Sequence, residues 1–409
     1  MKIALMHYTY APLTGGVENI MEQHAALFAG QGHETVVICS EGASDNPAVQ
    51  VALIPEMQRD HLLVKAAQPE LDAGEPGANF AELKSRLVHT LGPLLEKMDV
   101  VFLHNVLTMP FHLALTAALW ELTEKLPHVR FIAWTHDLVA CNPDYTLPHI
   151  GHFPWNLLTK RAPRVEYVAI SPLRRAQFAS LTGVPPESCA MIPNGIDPVD
   201  YLGLTGPVAK LVRDRAILEK EIVLLHPTRI LRRKNIELGL RVVAEIKARG
   251  KSCCCIVTGA PDMHNPDTVA YHRSLIELRE ELGLADEFLF LHERFAVTKQ
   301  DLIGLYRVAD VLFYPSKQEG FGLPMLEGAL HGIPVFCADV EPMKSLAQKN
   351  VTFFDLQVAP AALAGSIIAH VEGSVSIQAG KGLMRDYSWN TLYPRFFEPL
   401  LKSDPRHLL

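Results

Sequence analysis

Short apolar runs alternate with longer helical patterns along almost the whole chain, in two successive series. A short apolar run bounded by turn residues predicts a buried strand, and the helical pattern after it predicts the crossover helix of a parallel sheet. The two series meet near residues 194–221, where the periodicity lapses among Pro198, Gly203, Gly206 and Pro207. We therefore expect an α/β chain with two Rossmann-like, doubly wound domains.

The first series predicts six strands and four helices. The strands are Ile3–His7, Glu34–Cys39, Val100–His104, Arg130–Thr135, Tyr167–Ile170 and Ala190–Ile192. The helices are Val17–Ala29, Phe80–Lys97, Phe111–Lys125 and Leu173–Leu181. The stretches 41–79 and 138–165 are rich in Pro, Gly, Asp and Asn, and they are predicted to be long loops.

The second series predicts six strands and five helices. The strands are Ile222–Pro227, Cys253–Thr258, Phe288–Leu291, Val311–Tyr314, Val335–Cys337 and Thr352–Phe354. The helices are Ile236–Ala248, Ala270–Leu282, Lys299–Val308, Pro324–Leu330 and Pro360–His370. The last stretch, Tyr387 to Leu401, predicts an amphipathic helix that crosses back to the first domain. The predicted domains are residues 1–200 with the helix 386–409, and residues 201–385.

Length and charge narrow the class of protein. The chain has 409 residues, with 45 acidic and 38 basic side chains, and it lacks the long Lys/Arg run that binding to a nucleic-acid backbone needs. Nucleic acid is therefore excluded as a partner. The apolar run at the N-terminus is too short for a signal peptide, and no stretch reaches the roughly 20 apolar residues of a membrane-spanning helix. We expect a cytoplasmic protein, for which contact with a membrane surface is not predicted.

The seven cysteines fit neither a disulfide framework nor a zinc-binding spacing. Cys253, Cys254 and Cys255 are consecutive in a predicted strand, whose side chains point alternately to opposite faces. We therefore predict reduced, buried thiols with a structural role.

The segment from Glu319 to Glu327 follows a predicted strand and reads Glu-Gly-Phe-Gly-Leu-Pro-Met-Leu-Glu. Pro324 suits the first turn of a helix, which places Glu327 in that turn and Glu319 on the loop before it. Free backbone N–H groups at a helix N-terminus bind anions. Here they belong to Gly320, Phe321, Gly322 and Leu323. The alternative is a simple helix cap, in which Glu327 is only a favourable charge.

This pattern, followed by Gly332-x-Pro334-Val335, closely resembles the donor-binding signature of family 4 glycosyltransferases, and the resemblance extends along almost the entire chain. Members of that family are retaining, nucleotide-sugar-dependent enzymes of the GT-B fold, in which two Rossmann-like domains face each other across a cleft. The resemblance implies that Glu319 binds hydroxyls of the transferred sugar and that Glu327 binds the ribose of the donor.

Two cations follow the first predicted strand of the second series. Arg229 comes just after Ile222–Pro227, and Lys234 stands five residues later, where the next helix starts. Cations at this position fit a pyrophosphate leaving group, although a solvated surface run is the alternative. The resemblance assigns the diphosphate to Arg229 and Lys234. Because the chain has no Asp-x-Asp pair for a divalent ion, we expect a metal-independent reaction that requires no cofactor.

Three candidate residues, His7, His104 and His136, lie at the ends of predicted strands in the first series. The carboxyl ends of parallel strands border the ligand crevice, so these side chains are expected to converge there. Their residue type leaves open a structural role or a metal site, although no metal-ligand spacing supports the latter. The resemblance assigns His136 to the transferred sugar and leaves the other two as candidate cleft residues.

Gly15 and Gly16 open the first predicted helix, and Glu18 lies in its first turn. The absence of G-x-G-x-x-G at this turn argues against a dinucleotide-dependent dehydrogenase, and a tight connection is the alternative to a binding loop. The resemblance implies that the loop approaches the donor phosphate and the acceptor. The run Asn194-Gly195-Ile196-Asp197 resembles the hinge of the family, and we interpret it as structural.

Two segments depart from the family pattern. Cys337–Met343 replaces a Gly-rich turn, which leaves the base and the sugar open. The loop Cys141–Arg164 combines aromatic residues with cations, so it is a candidate contact for an acidic or lipid-linked acceptor, with an ordinary surface loop as the alternative. Its candidate residues are Tyr145, Trp155, Lys160, Arg161 and Arg164.

The sequence thus predicts an enzyme that moves a hexose, glucose or mannose, from a UDP- or GDP-sugar to a small or lipid-linked hydroxyl acceptor. The resemblance implies front-face substitution with retention of configuration. Two alternatives stay open: a sugar-nucleotide 2-epimerase on the same fold, and a non-catalytic partner that only binds a sugar nucleotide.

Overall fold

A computed structural model describes residues 1–13, 15–346 and 349–403, and the chain divides into two compact units. The first unit comprises Met1–Ile196 and the C-terminal segment that begins at Trp389, and the second comprises Asp197–Ser388. Each unit is built around one sheet of parallel strands with a hydrophobic cluster on either face.

Seven strands form the sheet of the first unit. They are β1 (Lys2–Met6), β2 (Glu34–Cys39), β3 (Val49–Leu53), β4 (Val100–His104), β5 (Arg130–Thr135), β6 (Val165–Ala169) and β7 (Ala190–Met191). The helices are α1 (Gly16–Gly30), α2 (Leu62–Asp72), α3 (Ala78–Leu95), α4 (Leu113–Lys125) and α5 (Pro172–Thr182). The strand order β3-β2-β1-β4-β5-β6-β7 reverses direction between β1 and β4, and a ligand crevice forms at such a point in open α/β sheets.

The stretch 41–79 is not the long loop that its composition predicts, because it contains β3 and α2. The edge strand β3 pairs along its whole length with β2, from Thr35 opposite Val49 to Cys39 opposite Leu53. Helix α2 packs against α3 and buries Ala67 and Leu71. Turn-forming composition therefore concealed two short elements, whose stability comes from their neighbours rather than from their own sequence.

Six strands form the sheet of the second unit, in the order β10-β9-β8-β11-β12-β13, with the reversal between β8 and β11. They are β8 (Ile222–His226), β9 (Cys253–Val257), β10 (Phe288–Phe290), β11 (Val311–Tyr314), β12 (Val335–Ala338) and β13 (Val351–Phe354). The helices are α6 (Pro198–Tyr201), α7 (Gly206–Asp214), α8 (Ile236–Ala248), α9 (Pro266–Glu281), α10 (Lys299–Val308), α11 (Leu323–Leu330), α12 (Met343–Leu346), α13 (Pro360–Gly373) and α14 (Val375–Tyr387).

The C-terminal segment is helical and packs on the first unit, as predicted. It consists of α15 (Trp389–Leu392), a π-helical turn (Tyr393–Phe397) and α16 (Glu398–Lys402). Its buried apolar side chains join the cluster on one face of the first sheet, beside Phe28 and Trp134. Of the predicted stretch 386–409, residues 404–409 lie outside the described part of the chain.

The buried strands have the alternation that a sheet covered on both faces requires. In β9, Cys253 and Cys255 join the cluster on one face, and Cys254 joins the cluster on the other. All seven cysteines are free thiols, and only Cys141 is not fully buried. Within residues 1–13, 15–346 and 349–403, no helix is both long and apolar enough to cross a membrane.

Candidate active site

A buried ion pair lies at the carboxyl edge of the second sheet, where β8 and β11 are neighbours. After β8 the chain makes a 3-10 turn over Arg232–Lys234, and the Lys234 ammonium donates a hydrogen bond to the carboxylate of Glu319, on the loop after β11. The side chains of Lys234 and Glu319 are 10% and 7% exposed. Arg233 donates to the other carboxylate oxygen at 3.1 Å. One acidic side chain is therefore held between two cations.

Electrostatics keep this pair charged. Burial lowers the pKa of Lys234, but the hydrogen bond that it donates to Glu319 opposes that shift. Burial alone would raise the pKa of Glu319, but the hydrogen bond from Lys234 and its positive charge help to hold it below its usual range. The residues that the sequence assigned separately to diphosphate and sugar thus bind each other. An incoming diphosphate would have to share Lys234 with Glu319.

Arg229 is exposed, and among the described residues no hydrogen bond or ion pair engages its side chain. Its backbone is placed by Gly259, which follows β9 and donates its N–H to the Thr228 carbonyl at 2.8 Å. A Cβ on Gly259 would lie 2.5 Å from that oxygen and 2.7 Å from the Arg229 Cα, so only glycine allows this approach. The sequence analysis did not identify Gly259.

The loop after Glu319 leads into α11 through Gly322, whose φ of +95° lies in the left-handed region that favours glycine. Leu323 begins the helix and Pro324 lies in its first turn, as predicted, but that turn contains no acidic residue. Glu327 therefore lies in the second turn, and its predicted position was wrong by one residue, because the helix starts at Leu323 rather than Pro324.

The Glu327 carboxylate has a partner that the sequence analysis missed. The Tyr306 hydroxyl, on α10, donates to it at 2.7 Å. The ring of Tyr306 stacks on His331 at 4.9 Å with an interplanar angle of 15°. Tyr306 lies 21 residues before Glu327, so no local motif could have paired the two.

A second network joins the two loops that carry Lys234 and Glu319. The Lys317 backbone N–H donates to the Arg233 carbonyl at 2.7 Å, and the Lys317 ammonium lies 3.0 Å from Glu237, in the first turn of α8. The Tyr271 hydroxyl donates to the same carboxylate and accepts the N–H of Ile236 at 3.2 Å. These contacts connect the loop that carries Lys234 with the loop that carries Glu319, and so they support the ion pair.

The candidate histidines of the first unit converge at the carboxyl edge of its sheet. Nδ1 of His7 donates to the His104 carbonyl at 2.8 Å, because a carbonyl oxygen can only accept. Nδ1 of His104 lies 3.1 Å from Nε2 of His136, and the two rings stack at 5.4 Å. All three rings are almost fully buried. The predicted convergence of these residues is therefore observed.

Burial determines the charge of this cluster. It lowers the pKa of His136 to about 3, with the nearby His7 as the second cause, and it lowers the pKa of His104 well below its usual range. At neutral pH the His136 imidazole is therefore uncharged and offers one donor and one acceptor. It can form a hydrogen bond to a hydroxyl, but it brings no positive charge to the site.

The backbone around His136 is braced by residues that no motif indicated. The Asn105 side chain accepts the N–H groups of His136 and Asp137 at 2.9 and 3.0 Å. Arg174, in the first turn of α5, donates to the His136 carbonyl at 3.1 Å and to the Asp137 carboxylate at 3.0 Å. Asn105 has a φ of +59°, a left-handed conformation that asparagine tolerates better than most residues.

The Gly-Gly turn lies beside the same cluster. Gly16 begins α1, and Glu18 lies in its first turn, as predicted. The Glu18 carboxylate accepts a hydrogen bond from Thr9 at 2.6 Å and lies 3.8 Å from Nε2 of His7. A Cβ on Gly15 would lie 2.0 Å from that carboxylate, so Gly15 leaves the space that Glu18 fills.

The candidate acceptor residues do not gather at one place. Tyr145 and Trp155 line a common cavity of about 290 Å³, but Trp155 is buried. Arg164 directly precedes β6 and donates to the Pro127 carbonyl, before β5, so it lies at the amino edge of the sheet. Lys160 is exposed, and Arg161 next to it is half-buried. Of the predicted cations, Arg164 is therefore not grouped with Tyr145.

The comparisons with known proteins agree with this arrangement. The model of the family described as Glycosyltransferase Family 4 matches residues 14–200, and the model described as Glycosyl transferases group 1 matches residues 209–376. The chain belongs to glycosyltransferase family 4. It is a glycosyltransferase with two parallel α/β sheets, as expected of the GT-B fold.

Relatives of this glycosyltransferase cover most of its length. Mannosylglucosylglycerate synthase from Thermotoga maritima is 25% identical over 367 residues, which are 84% of this chain and 82% of the relative. D-inositol 3-phosphate glycosyltransferase from Nocardia farcinica is 26% identical over 235 residues, 52% of this chain and 50% of the relative. Among solved structures, HepE from Anabaena in complex with UDP has 17% identity over 98% of this chain and 99% of that chain, with a TM-score of 0.37.

The described residues of the glycosyltransferase contain no cluster of three or more His, Cys, Asp or Glu side chains that could hold a metal ion. The three histidines at the edge of the first sheet instead bind one another and the backbone.

Proposed function

We propose that the enzyme transfers a hexose, glucose or mannose, from a UDP- or GDP-sugar to a hydroxyl of a small acceptor, with retention of configuration and without a metal ion. The observation that carries the proposal is the buried pair of Lys234 and Glu319 at the carboxyl edge of the second sheet, with Glu319 on the loop that leads into the N-terminus of α11. The names of the relatives contain glycerate and inositol 3-phosphate, which favours a small polyol acceptor over a lipid-linked one.

The proposed step breaks the bond between the anomeric carbon and the donor phosphate oxygen. The acceptor oxygen bonds to the anomeric carbon on the same face, and its proton passes to the leaving phosphate oxygen. The departing nucleoside diphosphate gains negative charge, which cations and backbone N–H groups are suited to stabilise. Arg229, Lys234 and the residues Gly320 to Leu323 supply these groups. Glu319 would bind hydroxyls of the hexose and Glu327 those of the ribose.

A neutral His136 suits a contact with a sugar hydroxyl, because its Nδ1, the ring nitrogen that His104 does not engage, can form a hydrogen bond without bringing a charge to the site. Contact of His136 with the transferred sugar, and contact of Gly15, Gly16 and Glu18 with donor or acceptor, remain predictions. The second candidate function, 2-epimerisation of the donor, needs no acceptor and is separated from transfer by the assays below.

Lys234→Gln tests the diphosphate role. A charge-assisted contact to a leaving group resembles an oxyanion-hole donor, worth about 3–4 kcal/mol, so kcat/KM should fall by about two to three orders of magnitude. The control is Lys344→Gln, since Lys344 is an exposed lysine of the same unit paired with Asp339. Circular dichroism checks that Glu319, left without its lysine, has not unfolded the unit. A folded Lys234→Gln variant with near wild-type turnover would contradict the proposal.

The donor and the stereochemistry need separate measurements. A thermal-shift panel of UDP, GDP, ADP and their hexose conjugates should single out one nucleotide sugar, because a ligand at 100 times its Kd adds about 2.7 kcal/mol. Proton NMR of the product should show the anomeric configuration of the donor. An inverted product, activity lost in EDTA and restored by Mg²⁺, or conversion of the donor without acceptor would each overturn the corresponding part of the proposal.

A further inference from the structure

Arg59 is an exposed cation at the carboxyl edge of the first sheet, in the segment between β3 and α2. Its guanidinium carbon lies 3.8 Å from the ring centroid of Phe111 and 5.0 Å from that of Tyr8. Within residues 1–13, 15–346 and 349–403, no carboxylate lies within ion-pair distance of this guanidinium. The sequence analysis assigned it no role, since it stands in a stretch predicted to be a loop.

The stacking leaves the guanidinium able to bind a ligand. Contact through its flat face occupies no N–H group, because the five donors of an arginine lie in the plane of the group. An arginine fixed in this way presents a fork of donors that matches the paired oxygens of a phosphate or a carboxylate. Phe111 therefore orients the guanidinium of Arg59 and leaves its N–H groups without a hydrogen-bond acceptor among the described residues.

The Tyr8 hydroxyl is a second unsatisfied donor at the same place. Tyr8 is 1% exposed, and its oxygen has no hydrogen-bond partner among the described residues. A buried hydroxyl without a partner destabilises the folded protein, so its retention calls for an explanation. Burial raises the pKa of Tyr8, which keeps the hydroxyl protonated beneath Arg59. An anion bound by the guanidinium beside the Tyr8 ring can accept a hydrogen bond from this hydroxyl as well.

We propose that Arg59 and Tyr8 form a subsite for an anionic group, a phosphate or a carboxylate, carried by the hydroxyl acceptor. The subsite rests on the proposed function, since it names the class of acceptor. It adjoins the candidate active site of the first unit: Tyr8 follows His7, which donates to His104, and His104 contacts His136. Arg164, one of the cations predicted to contact the acceptor, lies at the other edge of the sheet, whereas Arg59 lies at the carboxyl edge.

A cavity lies beside Phe111, the residue that Arg59 contacts, and it offers space for the part of an acceptor that does not carry the anionic group. The ring of Tyr145 meets that of Phe111 edge-on at 6.1 Å, and both rings line the cavity of about 290 Å³. That cavity continues between α2, α3 and α4, with both apolar and polar lining. The anion at Arg59 would thus fix one end of an acceptor whose remainder has space beside it.

Calorimetric titration with glycerol 3-phosphate, in the absence of nucleotide, tests the subsite. Arg59→Gln should weaken binding about tenfold or more, because it removes a charge-assisted contact. Tyr8→Phe should weaken binding severalfold without lowering Tm, since the lost hydroxyl has no partner in the protein. The control Lys65→Gln removes a neighbouring exposed lysine and should bind like wild type. Binding of glycerol 3-phosphate at other sites of the protein contributes equally in all variants, so it cancels when their affinities are compared.

The results separate the subsite from the proposed function. No binding by wild type, equal binding by Arg59→Gln, or equal affinity for uncharged glycerol would overturn the subsite, even if transfer depends on Lys234. Binding that depends on Arg59 while no nucleotide sugar is used would overturn the function and leave the anion site. Co-sedimentation with vesicles of phosphatidylglycerol in phosphatidylcholine distinguishes the source: retention that depends on Arg59 identifies a lipid phosphate, and binding of glycerol 3-phosphate alone identifies a free one.

Discussion

His24, on α1, should make the first unit sensitive to acid. Its ring is surrounded by Trp134, Trp389 and Phe397, at centroid distances of 4.8, 5.0 and 5.1 Å, all nearly perpendicular to it. The residue is 0% exposed, and neither ring nitrogen has a hydrogen-bond partner among the described residues. An aromatic box of this kind holds a neutral imidazole and offers no counter-charge to a protonated one.

The size of the effect follows from the pKa. Burial lowers the pKa of His24 well below its usual range, whereas in the unfolded chain a histidine titrates near 6.5. Below about pH 6.5 the unfolded state therefore binds a proton that the folded state does not, and the free energy of unfolding falls as pH falls. The slope is about 1.4 kcal/mol per pH unit, so His24 alone should remove about 2 kcal/mol between pH 8 and pH 5.

The variant His24→Leu isolates this effect. Urea unfolding of variant and wild type at pH 8, 6.5 and 5 gives a difference in stability that should shift by about 2 kcal/mol in favour of the variant as pH falls. Any packing cost of leucine is present at every pH and cancels in that shift. His89→Leu, at an exposed position of α3, is the matched control. A pH dependence identical in His24→Leu and wild type would refute the reasoning.

Three further predictions concern contacts that the structure adds. Tyr306→Phe removes the hydroxyl that holds Glu327 and should weaken nucleotide binding by about fivefold, measured by calorimetry, and equal affinity would exclude a role for this contact. Gly259→Ala forces a Cβ against the Thr228 carbonyl and should lower kcat/KM at least tenfold, or about 1.4 kcal/mol; unchanged kinetics would show that Arg229 needs no such support. Trp389→Ala should lower the free energy of unfolding of the first unit by about 3–5 kcal/mol, measured by urea unfolding, and should leave nucleotide affinity unaltered. A loss of nucleotide affinity would contradict a purely structural role for the C-terminal segment.

Apart from β3, the strands were predictable because each is an apolar run between turns. The bounds of β2, β4, β5 and β11 are those of the sequence analysis. Helix α7 was missed because Gly206 and Pro207, which open it, were interpreted as turn residues, although proline is common in a first helical turn. Helix α14 was missed for another reason: none of its residues is buried, so it has no apolar stripe to detect.

The candidate site was predictable to the extent that it obeys local rules. Strand ends and a helix N-terminus placed His136, Lys234 and Glu319 without any knowledge of the tertiary contacts. The supporting residues were not accessible in this way, because each acts on a partner from another element. Asn105 holds a backbone segment 31 residues later, and no spacing in the sequence encodes such a pair.

The carboxyl edges of the two sheets carry candidate residues of different charge. In the second sheet, Lys234 and Glu319 follow β8 and β11, between which the strand order reverses. In the first sheet, His7 and His104 lie at the ends of β1 and β4, where the order also reverses, and His136 follows the neighbouring strand β5. At the second sheet, Lys234 is buried with a carboxylate that keeps it charged. At the first sheet, His104 and His136 are buried beside each other and beside His7, and burial lowers the pKa of both rings, which leaves them neutral. In the proposed reaction the charged lysine at the second sheet would stabilise the leaving diphosphate, and the neutral histidines at the first would form hydrogen bonds to sugar hydroxyls.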